Sequence, residues 1–202
     1  MQASDFVTSK LNPEQKKAVE TVNGPVLILA GAGSGKTRVL THRMANIIAG
    51  AHASTDEILC VTFTNKAAKE MEHRIYKILS ELSIPVTRTL WVNTFHSFCV
   101  RILRQHIDLL DYKKPFTIYD SGDQLAQIKR VMQALNINDK MFPAKNFQSR
   151  ISSAKMMGVT PENVNKSSGY KFDPKTLEVF SRYEEEMKRA NALDFDDLLL
   201  KT

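Results

Sequence analysis

The sequence predicts an α/β fold, with a parallel sheet at the front of the chain and an all-helical segment inserted behind it. Three observations carry this expectation. Short apolar runs at residues 26–30, 58–63 and 90–93 are each followed by a stretch of helical periodicity, the pattern of strand–helix units in a parallel sheet. A glycine-rich loop separates the first run from its helix. From Asp120 onward the periodicity is helical and no strand stands out.

In chain order, residues 1–10 are polar and read as a loose arm. Asn12-Pro13-Glu14-Gln15 then opens a short helix, with Asn12 suited to the N-cap and Pro13 to the first helical position. Residues 26–30 are continuously apolar, as in a central strand covered on both faces. After the loop at 31–35, Leu40, Met44, Ile47 and Ile48 recur at helical spacing until Gly50. The second strand, 58–63, feeds a helix with Ala67, Ala68, Met71, Ile75, Ile78, Leu79 and Leu82 on one face. The third, 90–93, feeds a helix striped by Phe95, Phe98, Cys99, Ile102 and Leu103.

Around Pro115 the character changes. Leu125, Ile128, Met132 and Leu135 line one helix, and Phe147, Ile151 and Ala154 another. Asp173-Pro174 caps a third that buries Leu177, Phe180, Tyr183 and Met187. Residues 160–170 read as a polar loop, and 193–200 begin one further helix. The expected organisation is a nucleotide-binding part over 1–115, a helical part over 116–190, and a return at 191–202.

The 202 residues, 43% hydrophobic and 25% charged, are ordinary for a globular protein. No apolar stretch approaches the ~20 residues of a membrane helix, and the N-terminus lacks the apolar core of an export signal. Cys60 and Cys99 both sit in apolar patterns and read as buried free thiols, so a cytoplasmic setting is expected. The net charge of +6 is a mild lean toward polyanions. Its excess is concentrated between Lys113 and Thr160, where eight basic residues (Lys113, Lys114, Lys129, Arg130, Lys140, Lys145, Arg150, Lys155) face three acidic ones. That segment is the expected polyanion surface.

The strongest chemical signal is Ala30-Gly31-Ala32-Gly33-Ser34-Gly35-Lys36-Thr37. Backbone N–H groups at a helix N-terminus can surround a triphosphate only where no side chain intrudes, and Gly31, Gly33 and Gly35 leave that room. Lys36 supplies a point charge for the β- and γ-phosphates, and the Thr37 hydroxyl is a Mg²⁺ ligand. The strict pattern has Gly where this chain has Ala30. Lys36 and Thr37 are the catalytic candidates, with ATP and Mg²⁺ as the cofactors.

Other segments have two readings each. Gln15 stands three residues after Asn12 and suits a capping box, but a carboxamide also pairs with adenine N6 and N7. Thr62-Phe63-Thr64-Asn65-Lys66 ends the second strand, where open α/β sheets bind ligands, yet Thr64 and Asn65 also suit a helix cap and Phe63 a core. Thr94-Phe95-His96-Ser97 ends the third strand. There His96 and Ser97 lie off the apolar stripe, so burial does not account for them.

Together these segments resemble the UvrD/Rep/PcrA-like superfamily 1A DNA helicases, motors that translocate along single-stranded DNA. Leu11-Asn12-Pro13-Glu14-Gln15 looks like the Q motif, residues 29–38 the phosphate loop, residues 61–68 motif Ia, and Asn93-Thr94-Phe95-His96-Ser97 motif Ib. Phe116-Thr117-Ile118-Tyr119-Asp120 and Leu193-Asp194-Phe195-Asp196-Asp197-Leu198-Leu199 match two further stretches. The resemblance covers about residues 11–201. It implies a RecA-like P-loop NTPase sheet, subdomain 1A, carrying an inserted all-helical subdomain 1B that grips duplex DNA. It also implies that Gln15 reads adenine and Arg38 contacts the nucleotide. Phe63, Thr64, Asn65 and His96 would then border the single-strand track, with Lys66 adding charge.

ATP hydrolysis also needs carboxylates after a buried strand and arginines beside the transferring phosphoryl group. Asp56-Glu57 precedes its strand and Asp196-Asp197 follows none, so the chain reads as the front part of such a motor, stopping before its acids and slow in turnover by itself. For Asp194, Asp196 and Asp197 an N-cap with acids in the first turn is a better account than a metal site. The competing readings are the motor of a helicase–nuclease subunit, a small P-loop phosphotransferase and a non-catalytic DNA-binding module.

Overall fold

A computed structural model of the chain describes residues 3–86, 89–164 and 171–202. The chain divides into two compact units, Met1–Phe95 and His96–Thr202.

The first unit holds α1 (Ala3–Thr8), α2 (Pro13–Glu20), α3 (Lys36–Ala49), β1 (Leu59–Thr62), α4 (Asn65–Glu81) and β2 (Trp91–Thr94). Strands β1 and β2 pair in parallel, with Leu59 opposite Trp91 and Thr62 opposite Thr94. The parallel pairing expected of strands joined by a crossover helix is therefore present. Helix α3 packs against α1, α2 and α4, and Val19, Val39, Met44, Ala45, Met71, Ile75 and Leu79 are buried in the core.

Two expectations for this unit need correction. Residues 26–30 carry no ladder among the described residues; Leu27 and Leu29 are 84% and 87% exposed, and only Ile28 packs on the core. An apolar run records a tendency to be covered and does not specify a hydrogen-bonding partner; here β1 and β2 pair only with each other among the described residues. The arm expected over 1–10 is also not loose in its described residues, 3–10. Val7 and Thr8 are buried, the Val7 carbonyl lies 2.7 Å from His42 Nδ1, and the Lys10 carbonyl accepts from Arg38 at 2.7 Å.

The second unit contains the rest of α5 (Phe95–His106), then β3 (Thr117–Tyr119), α6 (Ser121–Ala134), α7 (Ala144–Met156), α8 (Pro174–Arg189), β4 (Ala192–Asp194) and α9 (Phe195–Leu200). The sequence predicts no strand from Asp120 onward and an all-helical part over 116–190; helices do fill the stretch between, but a short strand stands at each of its ends. β3 and β4 form a second parallel pair, from Thr117↔Ala192 to Tyr119↔Asp194. Three-residue strands are too short to show a period of two, and the partners lie on either side of the three helices. Asn191 closes this pairing. It adopts a left-handed φ of 50°. Its side chain accepts from the Lys113 amide at 2.8 Å and donates to the Lys113 and Pro115 carbonyls, each at 3.0 Å.

Helices α6, α7 and α8 bury Ile128, Met132, Phe147, Ile151, Phe180, Tyr183 and Met187 together, all of them expected from periodicity. A smaller cluster joins Cys99, Leu103 and Ile107 to Leu193 and Leu198. Residues 165–170 of the expected polar loop lie outside the described residues. Lys155, counted from sequence in the polyanion surface, is instead buried.

Candidate functional site

The phosphate loop joins the exposed residues 29–34 to the N-terminus of α3. Gly33 and Gly35 have φ of 75° and 88°, left-handed values that side chains disfavour, and Gly35 is the N-cap of α3. A Cβ added at Gly31 or Gly33 would meet nothing within 4 Å, so the loop is lined by backbone and open in front. The Ser34 hydroxyl donates to the Gly31 carbonyl at 2.7 Å. Lys36 Nζ folds over the loop and donates to the Ala30 and Gly31 carbonyls at 3.0 and 2.7 Å. Thr37 follows in the first turn, partly buried, while Ala30, Ala32 and Arg38 are exposed. An open cradle at the start of a 14-residue helix, with an ammonium and a hydroxyl beside it, fits a magnesium-bound triphosphate.

Asn12 and Gln15 form the expected capping box. The Gln15 amide donates to Asn12 Oδ1 at 2.8 Å, and the Asn12 amide to Gln15 Oε1 at 3.2 Å. Gln15 Nε2 also reaches the loop, donating to the Ser34 carbonyl at 3.0 Å. A Cβ on Gly35 would come within 3.0 Å of that same nitrogen, so the glycine also makes room for Gln15.

The ends of β1 and β2 bring the other motif segments together. Because Thr62 and Thr94 are register partners, the residues that follow them stand side by side. Phe63 and Phe95 meet with ring centroids 5.9 Å apart and planes tilted by 48°. Phe63 is 89% exposed and Phe95 44%, so neither is core. Thr64 is the N-cap of α4, its hydroxyl oxygen accepting from the Ala67 amide at 3.1 Å. Asn65 and Lys66 open that helix in solvent. His96 belongs to the second unit, where it is exposed and its ring meets Phe195 edge-on at 5.8 Å. Phe95 falls on an apolar stripe in the sequence and reads there as core, which its exposure corrects. Cys60, partly buried, has its thiol pushed up by burial and stays a protonated structural group.

A protein-family model described as the UvrD/REP helicase N-terminal domain matches residues 11–202. The chain belongs to this family. It is 44% identical over 199 residues to an ATP-dependent DNA helicase PcrA of Bacillus subtilis, a match that spans 98% of this chain. Proteins of the same description from Leuconostoc citreum and Staphylococcus epidermidis are 42% and 43% identical over 198 and 196 residues. The chain spans about a quarter of the length of these relatives, 26% in each case. Within the UvrD/REP family assignment, the glycine loop and both strand-end segments fall inside the matched residues. Among the described residues no helix is long and apolar enough to cross a membrane.

Proposed function

We propose that this chain is the ATP- and DNA-binding front part of a superfamily 1A DNA helicase working in the cytoplasm. Residues 1–115 act as the RecA-like subdomain 1A, 116–190 as subdomain 1B, and 191–202 as the return toward 1A. The observation that carries this reading is the open glycine cradle at the head of α3. Its backbone amides and the positive end of the helix dipole suit the dense negative charge of a triphosphate. Lys36 leaves the Ala30 and Gly31 carbonyls to meet the β- and γ-phosphates, and Thr37 presents its hydroxyl to Mg²⁺. The metal, when bound, neutralises charge on the phosphate oxygens. Arg38 and Gln15 flank the nucleotide, Gln15 on the adenine edge.

Single-stranded DNA lies across the ends of β1 and β2. Phe63 offers a π-face to a base, Thr64 and Asn65 polar contacts, and Lys66 a charge for phosphate; His96 borders the same track. Duplex DNA meets the helical part. Titration calorimetry with Mg-ATP, before and after adding a thymidine oligonucleotide, tests the reading. Binding of both by the parent chain, with ATP binding weakened by Lys36→Ala, is the expected result. An unchanged ATP affinity in that variant would overturn the nucleotide site.

A further inference from the structure

The most concentrated buried charge among the described residues surrounds Lys155 on α7. Its side chain is only 1% exposed, where a lone ammonium would not persist. Nζ faces Glu184 Oε1 at 2.7 Å, Asp194 Oδ2 at 2.9 Å and Asp197 Oδ1 at 2.9 Å. Asp194 Oδ2 also accepts from the Tyr183 hydroxyl at 2.7 Å and from Gln124 Nε2 at 3.1 Å. Lys201 approaches Asp197 Oδ1 at 3.4 Å. Burial works against the charge on Lys155, but the Glu184, Asp197 and Asp194 carboxylates outweigh it and hold the ammonium above the ordinary lysine range.

Two of these acids build one turn. The Asp197 amide donates to Asp194 Oδ1 at 2.8 Å and the Asp194 amide to Asp197 Oδ2 at 3.2 Å, a capping box that starts α9. Phe195 is the first residue inside that box. It is the aromatic that stands edge-on to His96, with the planes 71° apart.

We infer that Lys155 is a positioning residue: by holding both carboxylates of the Asp194–Asp197 turn it sets Phe195 against His96. Without the ammonium, the Asp194 and Asp197 carboxylates confront each other and Glu184 in a low-dielectric pocket, and the turn carrying Phe195 relaxes. The consequence for DNA rests on the role proposed above for His96; the positioning itself does not.

The test uses NMR on the 202-residue chain, following the imidazole C–H resonances assigned by their loss in His96→Gln. Phe195→Leu removes the ring current and gives the reference shift. Lys155→Met keeps the length of the side chain and removes its charge. The expected result is movement of the His96 resonances toward their Phe195→Leu positions, with the Ile128 and Ile151 methyl signals retained. Resonances that stay in place in a folded Lys155→Met protein overturn the inference. Should Lys155→Met fail to fold, Asp197→Asn decides. It keeps the shape and one capping oxygen but turns an amide group toward Lys155, so a partial shift in the same direction is expected and no shift overturns the inference.

Anisotropy with a labelled thymidine oligonucleotide separates the two levels. A matched loss of affinity in Lys155→Met and Phe195→Leu, roughly twofold to thirtyfold as for couplings carried through packed side chains, supports both. Moved resonances with unchanged affinity in both variants uphold the positioning and overturn the DNA role of His96.

Discussion

The side-chain amide of Gln15 is tied to the phosphate loop, Nε2 donating to the Ser34 carbonyl at 3.0 Å while Oε1 accepts from the Asn12 amide at 3.2 Å. A carboxamide has two N–H donors and two lone pairs on its oxygen, so one of each remains. That remainder is what adenine N7 and N6 need, and the helix cap and base recognition are therefore compatible in one side chain.

Gln15→Ala separates them. Losing the capping partner should lower stability by about 0.3–1.5 kcal/mol, seen in thermal unfolding. If the remaining donor and acceptor read adenine, the variant also loses any preference for ATP over GTP in competition binding. Equal loss of affinity for both nucleotides would mean that Gln15 only steadies the loop.

Lys36 is held by two carbonyls of its own loop, Ala30 and Gly31, and must exchange them for phosphate oxygens. A hydrogen bond to a charged partner contributes about 1.5–3 kcal/mol, so Lys36→Ala should weaken Mg-ATP by roughly tenfold or more. Thermal unfolding should change little, because both contacts it loses are exposed. Calorimetric titration of the two proteins side by side measures this directly.

What was legible in the sequence divides along physical lines. Periodicity over a dozen residues placed α4, α6, α7 and α8, and the Asn12, Asp173 and Asp194 caps followed from short side chains that satisfy helix amides. The glycine loop was legible because its spacing has a chemical purpose. Partnership was not legible. Residues 26–30 gave their apolarity but not a ladder, and β3 and β4 were too short to announce themselves. Lys155 looked like a surface charge because nothing in a linear pattern shows three acids converging from α8 and the β4–α9 turn. Phe63 posed the opposite problem, an apolar residue left in solvent.

Asp173 gives a pH dependence with a definite sign. The Thr176 hydroxyl and amide, then Arg150, hold its carboxyl down at about 2. The folded value lies below the unfolded one near 3.9, so the cap contributes its stability above the unfolded value and loses it as pH falls toward 2. In an NMR titration the Thr176 amide should keep its shift through pH ~4 and move only as pH nears that of the bound carboxyl. Asp173→Asn should abolish the movement. A midpoint at the ordinary carboxylate value would show that these bonds do not act on the acid.

Asn191 joins two requirements that substitutions can separate. Its left-handed backbone suits Gly or Asn, and its side chain makes three hydrogen bonds to residues 113–115. Asn191→Gly keeps the conformation and loses the bonds, while Asn191→Ala loses both. The expected order of stability is parent, then Gly, then Ala, with a total loss of about 1–3 kcal/mol in urea unfolding. An alanine variant as stable as the glycine variant would remove the backbone contribution from this account.

The exposed ring of Phe63 and the ammonium of Lys66 should contribute to single-stranded DNA binding in distinguishable ways. Stacking a base on an aromatic face contributes about 1–3 kcal/mol and releases no counterion, whereas each phosphate neutralised adds about −0.7 to the log–log salt slope for a single strand. A surface that neutralises three or four phosphates therefore has a slope of about −2 to −3 and loses its grip well below physiological salt. Phe63→Ala should lower affinity for a thymidine oligonucleotide at every salt concentration without changing the slope. Lys66→Ala should flatten the slope by about one contact's worth, ~0.7. Phe95 bears on the same test, since its ring supports Phe63 from one side at 5.9 Å. Phe95→Ala should therefore weaken binding less than Phe63→Ala, again with the slope intact. Fluorescence anisotropy from low to moderate salt resolves all three variants. Parent-like binding in both Phe63→Ala and Lys66→Ala would remove the strand-end surface from the proposed DNA track and leave the nucleotide cradle standing alone.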